Sequence, residues 1–168
     1  GEARPYATMA LAPEGKGSAV VFPSVGAADV WLQDLERGVP TRFTFNGFMR
    51  TAIWSPDGNF IVFARSSTPQ TDLYRKPSNG GGAEELLLHG GPNVNPTDIS
   101  PDGKWLVYSQ TDGKTKEDLW LLPLTGERKP VKYLDSPFSE RNAQFSPDGK
   151  WMAYASDESG QNQVYVQP

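Results

Sequence analysis

A four-residue turn, Ser-Pro-Asp-Gly, recurs along this chain with the same flanking pattern each time, and that recurrence restricts the available folds more than any other feature. Ser55-Pro56-Asp57-Gly58, Ser100-Pro101-Asp102-Gly103 and Ser146-Pro147-Asp148-Gly149 are intact copies, and Ala12-Pro13-Glu14-Gly15 is a divergent one. The prolines are spaced by 43, 45 and 46 residues. A second landmark keeps the same step: Asp29-Val30-Trp31, Asp72-Leu73-Tyr74, Asp118-Leu119-Trp120 and Gln163-Val164-Tyr165 begin 43, 46 and 45 residues apart. A fixed period in this range signifies stacked supersecondary units, each too small to bury its own apolar surface.

Within a repeat the segments read as strands. In the third copy the turn is followed by Trp105 to Gln110, a polar loop, Asp118 to Pro123, a turn at Gly126 and Val131 to Leu134. These runs are short, rich in β-branched and aromatic residues and bounded by Gly, Pro, Asp and Asn, with no helical period. Proline pre-sets φ at the second turn position, aspartate suits the third because its carboxylate can bond nearby backbone, and glycine takes the fourth without steric cost. The strand after the turn is apolar on both faces, with Trp105 and Val107 on one and Leu106 and Tyr108 on the other. A sheet with one wet face would alternate, so each small sheet must be covered on both sides. Four strands per ~45 residues, sandwiched by neighbours, is the arrangement of propeller blades. Each large apolar side chain buried this way contributes roughly 1.5 to 3 kcal/mol, so a blade depends on its neighbours for stability. The expected fold is an all-β propeller of four-stranded antiparallel blades, a single segment over 1–168 with repeats near 7–45, 50–89, 95–135 and 141–168.

Composition narrows the function classes. The longest apolar runs, such as Leu119 to Leu122, are far below the ~20 residues a bilayer helix needs, so this segment is not expected to insert in a membrane. With 16 basic and 20 acidic residues and a net charge of −4, the surface would repel a phosphate backbone, and nucleic acid is not an expected partner. The chain has no cysteine, which removes disulfides and thiolate chemistry.

The turn and strand Ser-Pro-Asp-Gly-Lys-Trp followed by two apolar residues and Tyr, with Asp-Leu-Trp or Val-Tyr-Val after it, resembles the TolB-like β-propeller repeat. The passages Asp118 to Leu124, Phe145 to Tyr154, Ser156 to Gly160 and Val164 to Val166 resemble more particularly the propellers attached to bacterial receptor-like serine/threonine kinases. The resemblance implies an extracytoplasmic, periplasmic or cell-surface, sensing or protein-binding module, at times beside a kinase or peptidase domain. It is strong for fold and weak for function, because one fold hosts many functions. No kinase glycine-rich loop, catalytic-loop motif or nucleophile elbow occurs in the sequence. Aligned this way, the chain amounts to about three and three-quarter blades, a partial or half ring. Its open blade faces predict either further sequence or pairing of two copies, a homodimer completing an eight-blade ring.

Candidate chemistry is sparse, and no catalytic residue is assigned. His89, the one histidine, precedes Gly90-Gly91-Pro92 and reads as a surface-loop residue rather than a triad member. Asn79-Gly80-Gly81-Gly82 lacks the Lys-Ser/Thr and helix of a phosphate loop and reads as a hairpin connection. The acidic loops from Asp112 to Asp118 and at Asp157, Glu158 and Asn162 leave calcium as the one conceivable cofactor, but they match no EF-hand spacing, and Lys114 and Lys116 interleave with the first. Asp29, Asp72 and Asp118 are expected to bond backbone at a strand start, and the five tryptophans to pack in the core. Recognition is expected on the loops that join one repeat to the next, which differ between copies while the opposite turns stay nearly constant. The candidates there are Asn46, Phe48, Arg50, Asn93, Asn95, Glu140, Arg141 and Asn142, with Met49 and Phe138 beside them. Such a mixture suits a protein or peptide partner. The sequence therefore reads as a noncatalytic binding or sensing module of a larger bacterial protein. The alternatives are a propeller gating a prolyl oligopeptidase-type hydrolase domain, or a structural, oligomerising half propeller.

Overall fold

The computed structural model of the protein describes residues 5–45, 47–111 and 116–168, and these form fifteen strands and no helix. The first blade comprises β1 (Thr8–Leu11), β2 (Gly17–Ser24), β3 (Ala27–Asp34) and β4 (Pro40–Arg42), each antiparallel to its predecessor. The second is β5 (Phe48–Trp54), β6 (Phe60–Ser67), β7 (Gln70–Pro77) and β8 (Glu85–Leu88). The third is β9 (Asn95–Ile99), β10 (Trp105–Gln110), β11 (Asp118–Pro123) and β12 (Val131–Lys132). The fourth has three strands, β13 (Glu140–Phe145), β14 (Met152–Ser156) and β15 (Gln163–Gln167). The open sheets make a partial β-propeller.

The recurring turn explains itself atom by atom. It joins the first two strands of each blade. The Ser55 hydroxyl donates to Asp57 at 2.6 Å and accepts from the backbone N–H of Phe60 at 2.9 Å, while Asp57 also accepts from the N–H of Asn59 at 3.0 Å. Ser100 with Asp102, and Ser146 with Asp148, repeat the pattern onto Trp105 and Trp151. The closing glycines have φ of 71° at Gly58 and Gly103 and 69° at Gly149, a region that L residues with a Cβ rarely occupy. The divergent first copy keeps its glycine at φ 73° and the backbone bond from Gly15 to Ala12 at 2.9 Å, but Ala12 has no hydroxyl to offer.

Blades stack through three apolar layers, as the two-faced strands require. Between blades one and two, Ala19, Val21 and Val30 meet Met49, Ala52, Ile61 and Phe63. Between two and three, Val62, Ala64 and Leu73 meet Ile99, Leu106 and Tyr108. Between three and four, Val107 and Leu119 meet Ala143, Met152 and Tyr154. Consecutive residues of β6 and β10 are buried on both faces, whereas β14 alternates, with Met152 and Tyr154 buried and Ala153 and Ala155 half-buried. Alternation returns where no further blade covers the sheet. On that open face Val164 and Val166 are exposed, and on the opposite end of the stack Met9 and Leu11 are too.

Two expectations are revised by the packing. Trp54 and Trp120 border the cores and half-buried Trp31 packs edge-on to Phe22, but Trp105 and Trp151 sit 38% and 49% exposed at the turn-side ends of their blades. Of the repeated aspartates, Asp29 bonds side chains instead of the expected backbone, while Asp72 does bond a backbone N–H. Asp29 accepts from Thr44 Oγ1 at 3.1 Å and from Arg42 at 2.6 Å, and Asp72 accepts from the backbone N–H of Gly90 at 3.1 Å. Asp118, fully buried, lies 3.4 Å from the Lys132 ammonium. Each thus ties the third strand to the outer edge of its blade, and the fourth copy, with no outer strand, has Gln163 there.

Candidate functional site

The inner strands β1, β5, β9 and β13 neighbour one another in turn, so repeat-equivalent residues on them gather around one line. β5, β9 and β13 each break register with the following strand: between Met49 and Ala52, at the Val107–Tyr108 step opposite β9, and between Arg141 and Gln144. Bulges re-aim side chains and are frequent beside functional sites. Arg50, Asn95 and Arg141 are one position of the repeat, spaced 45 and 46 residues apart, at or beside these irregularities.

Together they line a cleft of about 600 Å³ with Thr51, Asn93, Val94, Thr111, Lys116, Glu117 and Ser139. This is within the usual size of small-ligand sites. The walls are cross-braced between blades. Arg50 donates to Asn93 Oδ1 at 2.8 Å, and Thr51 Oγ1 donates to Asn95 Oδ1 at 2.5 Å. Asn93 holds φ 54°, an uncommon value for a residue with a Cβ. Arg141 lies 3.8 Å from the Glu117 carboxylate, whose other oxygen accepts from Ser109 at 3.3 Å. Lys116 pairs with Asp157, which also accepts the backbone N–H of Ser139 at 2.9 Å. Lys116, and then that N–H, hold the Asp157 carboxyl below its ordinary range.

Four of the eight sequence candidates, Arg50, Asn93, Asn95 and Arg141, thus share one cleft. Phe48, 55% exposed, lines a neighbouring depression with Ala28, Met49, Ser66, Ser67 and Thr68, and Arg50 borders both. Asn142 is exposed at φ 55° within the β13 bulge and does not line the cleft. Asn46 lies outside the described residues. Glu140 and Met49 differ from their reading as exposed loop residues. Met49 is buried in the first inter-blade layer, and Glu140 is 1% exposed, with Ser136 donating to one oxygen and, among the described residues, no partner on the other. Burial pushes the Glu140 carboxyl above its ordinary value, and Asp118, Asp157 and Glu158 add to the effect.

Sequence reading missed Thr51, Thr111, Glu117 and Ser139, and placed Lys116 in a solvated loop. Thr111, Lys116 and Glu117 come from the loop between the second and third strands of the third blade, which topology places on the same face as the inter-repeat loops, while Thr51 lies on β5 and Ser139 directly precedes β13. The usable signal was that shared face. Of the acidic loop once weighed for calcium, residues 112–115 lie outside the described residues. Asp157 is engaged as above, and among the described residues no three His, Asp or Glu side chains are placed to hold a metal ion. His89 is exposed and lies 3.5 Å from Asp72.

No family model matches the chain. An uncharacterized protein of Agrobacterium fabrum is 26% identical over 121 residues, covering 72% of this chain and 37% of that protein. TolB from Acinetobacter baumannii superposes with a TM-score of 0.81 at 22% identity, over 98% of this chain and 41% of its own. A TolB candidate from Agrobacterium tumefaciens gives 0.79 at 21% identity, over 97% and 58%. A prolyl endopeptidase gives 0.68 at 16%, over 96% of this chain and 26% of its own. The chain spans about two fifths to three fifths of the TolB chains it matches, and its fold is a TolB-like β-propeller.

Proposed function

We propose that this chain is a noncatalytic binding module whose partner, a protein or peptide, docks at the cleft formed by Arg50, Asn93, Asn95, Lys116, Glu117 and Arg141. The observation that carries this reading is convergence. Residues from three repeats, at the starts of the inner strands and in the loops beside them, meet around one polar cleft on a scaffold whose opposite turns are nearly invariant. The likeness to TolB propellers supports a noncatalytic module, and the resemblance of the repeat favours an extracytoplasmic sensing or recognition segment of a larger bacterial protein.

The test is affinity capture from bacterial extract with quantitative mass spectrometry, comparing the wild type with an Arg50→Ala/Asn93→Ala/Arg141→Ala variant and with Lys104→Ala/Lys150→Ala on the opposite face. A partner lost only with the first variant supports the cleft. Capture unchanged in that variant removes it.

Two other readings each have one observation in their favour. The likeness to a prolyl endopeptidase suits a propeller gating a hydrolase domain, which a hydrolase domain encoded in the same gene would support. The apolar open faces at Met9 and Leu11 and at Val164 and Val166 suit a structural half ring, for which a sedimentation mass of twice 18.4 kDa is the signature.

A further inference from the structure

We infer that the cleft selects a carboxylate-bearing peptide segment; this rests on the binding reading above and specifies the chemistry of its ligand. The argument starts with Arg50. Its guanidinium is exposed, uses one nitrogen on Asn93, and faces no carboxylate in any ion pair among the described residues. A guanidinium presents five donors in a planar fork that matches a carboxylate, so Arg50 keeps most of its capacity for an incoming anion. Arg141, its repeat equivalent across the cleft, is held only loosely by Glu117 at 3.8 Å.

The amides point the same way. Asn93 and Asn95 each have Oδ1 occupied, by Arg50 and by Thr51. Their NH₂ groups are thereby left as donors, with no acceptor on them among the described residues. The rim thus offers two arginines and two amide donors. Among the described residues the one lining carboxylate, Glu117, is already met by Arg141 and Ser109.

What is missing from the lining also discriminates. Among the described residues no aromatic ring lines the cleft. Single-stranded nucleic acid relies on aromatic stacking platforms and a strongly positive groove, and this chain carries a net charge of −4. A peptide with Asp, Glu or a free C-terminus needs only directed donors and a local excess of positive charge.

The experiment measures fluorescence anisotropy of labelled eight-residue peptides with the 168-residue chain. The peptides are a Glu/Asp-Gly peptide with amidated end, a Gly-Ser peptide with amidated end, a Gly-Ser peptide with free carboxyl end, and a Lys-Gly peptide. The expected result is binding of the acidic peptide at least about tenfold tighter than the amidated Gly-Ser peptide, with about a tenfold loss in Arg50→Ala/Arg141→Ala. The loss should be recovered in good part by Arg50→Lys/Arg141→Lys and be absent in Lys104→Ala/Lys150→Ala. Circular dichroism confirms that each variant folds. Preference for the free-carboxyl Gly-Ser peptide over its amide also supports the inference and assigns the carboxylate to a chain terminus. Equal affinity for acidic and neutral peptides, with both lost in Arg50→Ala/Arg141→Ala, overturns the carboxylate selection and leaves the binding reading standing. Affinities unchanged in that variant overturn both.

Discussion

Arg50 of the second blade reaches across to Asn93, just ahead of the third, and donates a 2.8 Å hydrogen bond to a residue held at φ 54°. The contact fixes the mouth of the cleft and stores backbone strain at the acceptor. Asn93→Gly removes the hydrogen bond but relieves the strain, while Asn93→Ala removes the bond and keeps it. The alanine variant is therefore expected to be less stable than the glycine variant by about 1 kcal/mol, read as a difference in urea midpoints. Equal midpoints would mean that the loop relaxes out of the left-handed region when the amide is gone.

The recurring turn supplies a second prediction. A Cβ on Gly103 meets nothing within 4 Å, so Gly103→Ala tests backbone conformation alone at φ 71°. It should cost about 1 to 2 kcal/mol. Ser100→Ala removes a hydroxyl that donates to Asp102 at 2.6 Å and accepts from Trp105 at 2.9 Å, and should cost about 1 kcal/mol. The divergent copy offers the reverse experiment. Ala12→Ser with Glu14→Asp restores the motif and should raise the thermal midpoint; no change would show that the bond network matters less than the backbone turn.

How legible this was in the sequence follows from what each feature depends on. The turn and the double-faced strand are local and repeated, so the pattern of Ser55, Asp57 and Gly58 announced the blade three times over, with a divergent fourth copy, in a form that pairing and burial reproduce. Asp29 was misassigned because its partners, Thr44 and Arg42, are brought to it by the fold of the whole blade. Glu140 was taken for a surface residue because charged residues in loops usually are, yet the packing of the fourth blade against the third buries it. Arg50, Asn95 and Arg141 were found through loop variability; that they share a repeat position was present in the spacing. The cleft they form with Glu117 required the loop between second and third strands, whose side of the propeller follows from topology rather than from residue type.

Blade stacking itself can be weighed by contrasting a covered blade face with an open one. Leu106 is fully buried between blades two and three, while Val166 is 60% exposed on the last blade. Leu106→Ala is expected to cost about 2 to 5 kcal/mol through lost burial and the cavity left behind. Val166→Ala should stay within about 0.5 kcal/mol. Denaturant unfolding of both variants checks this. A large loss at Val166 would mean that the open face is covered in solution, and the mass by sedimentation would then distinguish a second copy from a rearranged fourth blade.

Acid titration should separate two groups of carboxylates with opposite signs. Asp57, Asp102 and Asp148 in the turns are held below their ordinary value of 3.8 by the serine hydroxyl first and a backbone N–H second, Asp102 to about 2. Their stabilising contribution is therefore present above the unfolded value of 3.8 and is lost as pH falls through each lowered folded value, about 2 for Asp102. Glu140 behaves in reverse. Burial raises it above its ordinary 4.5, so the folded protein binds that proton more tightly than the unfolded chain does. Its ionised form is a cost to the fold at neutral pH, and the cost fades as pH falls through the raised value toward 4.5. Glu140→Gln, which keeps the shape and removes the charge, should thus be more stable than the wild type at pH 7, with the advantage shrinking as pH approaches 4.5. Asp102→Asn should be less stable at pH 7, with its deficit closing only below pH 3.8. Urea midpoints measured between about pH 2 and pH 8 resolve the two windows. An advantage for Glu140→Gln that stayed constant across that range would assign the gain to packing against Ser136 rather than to the buried charge.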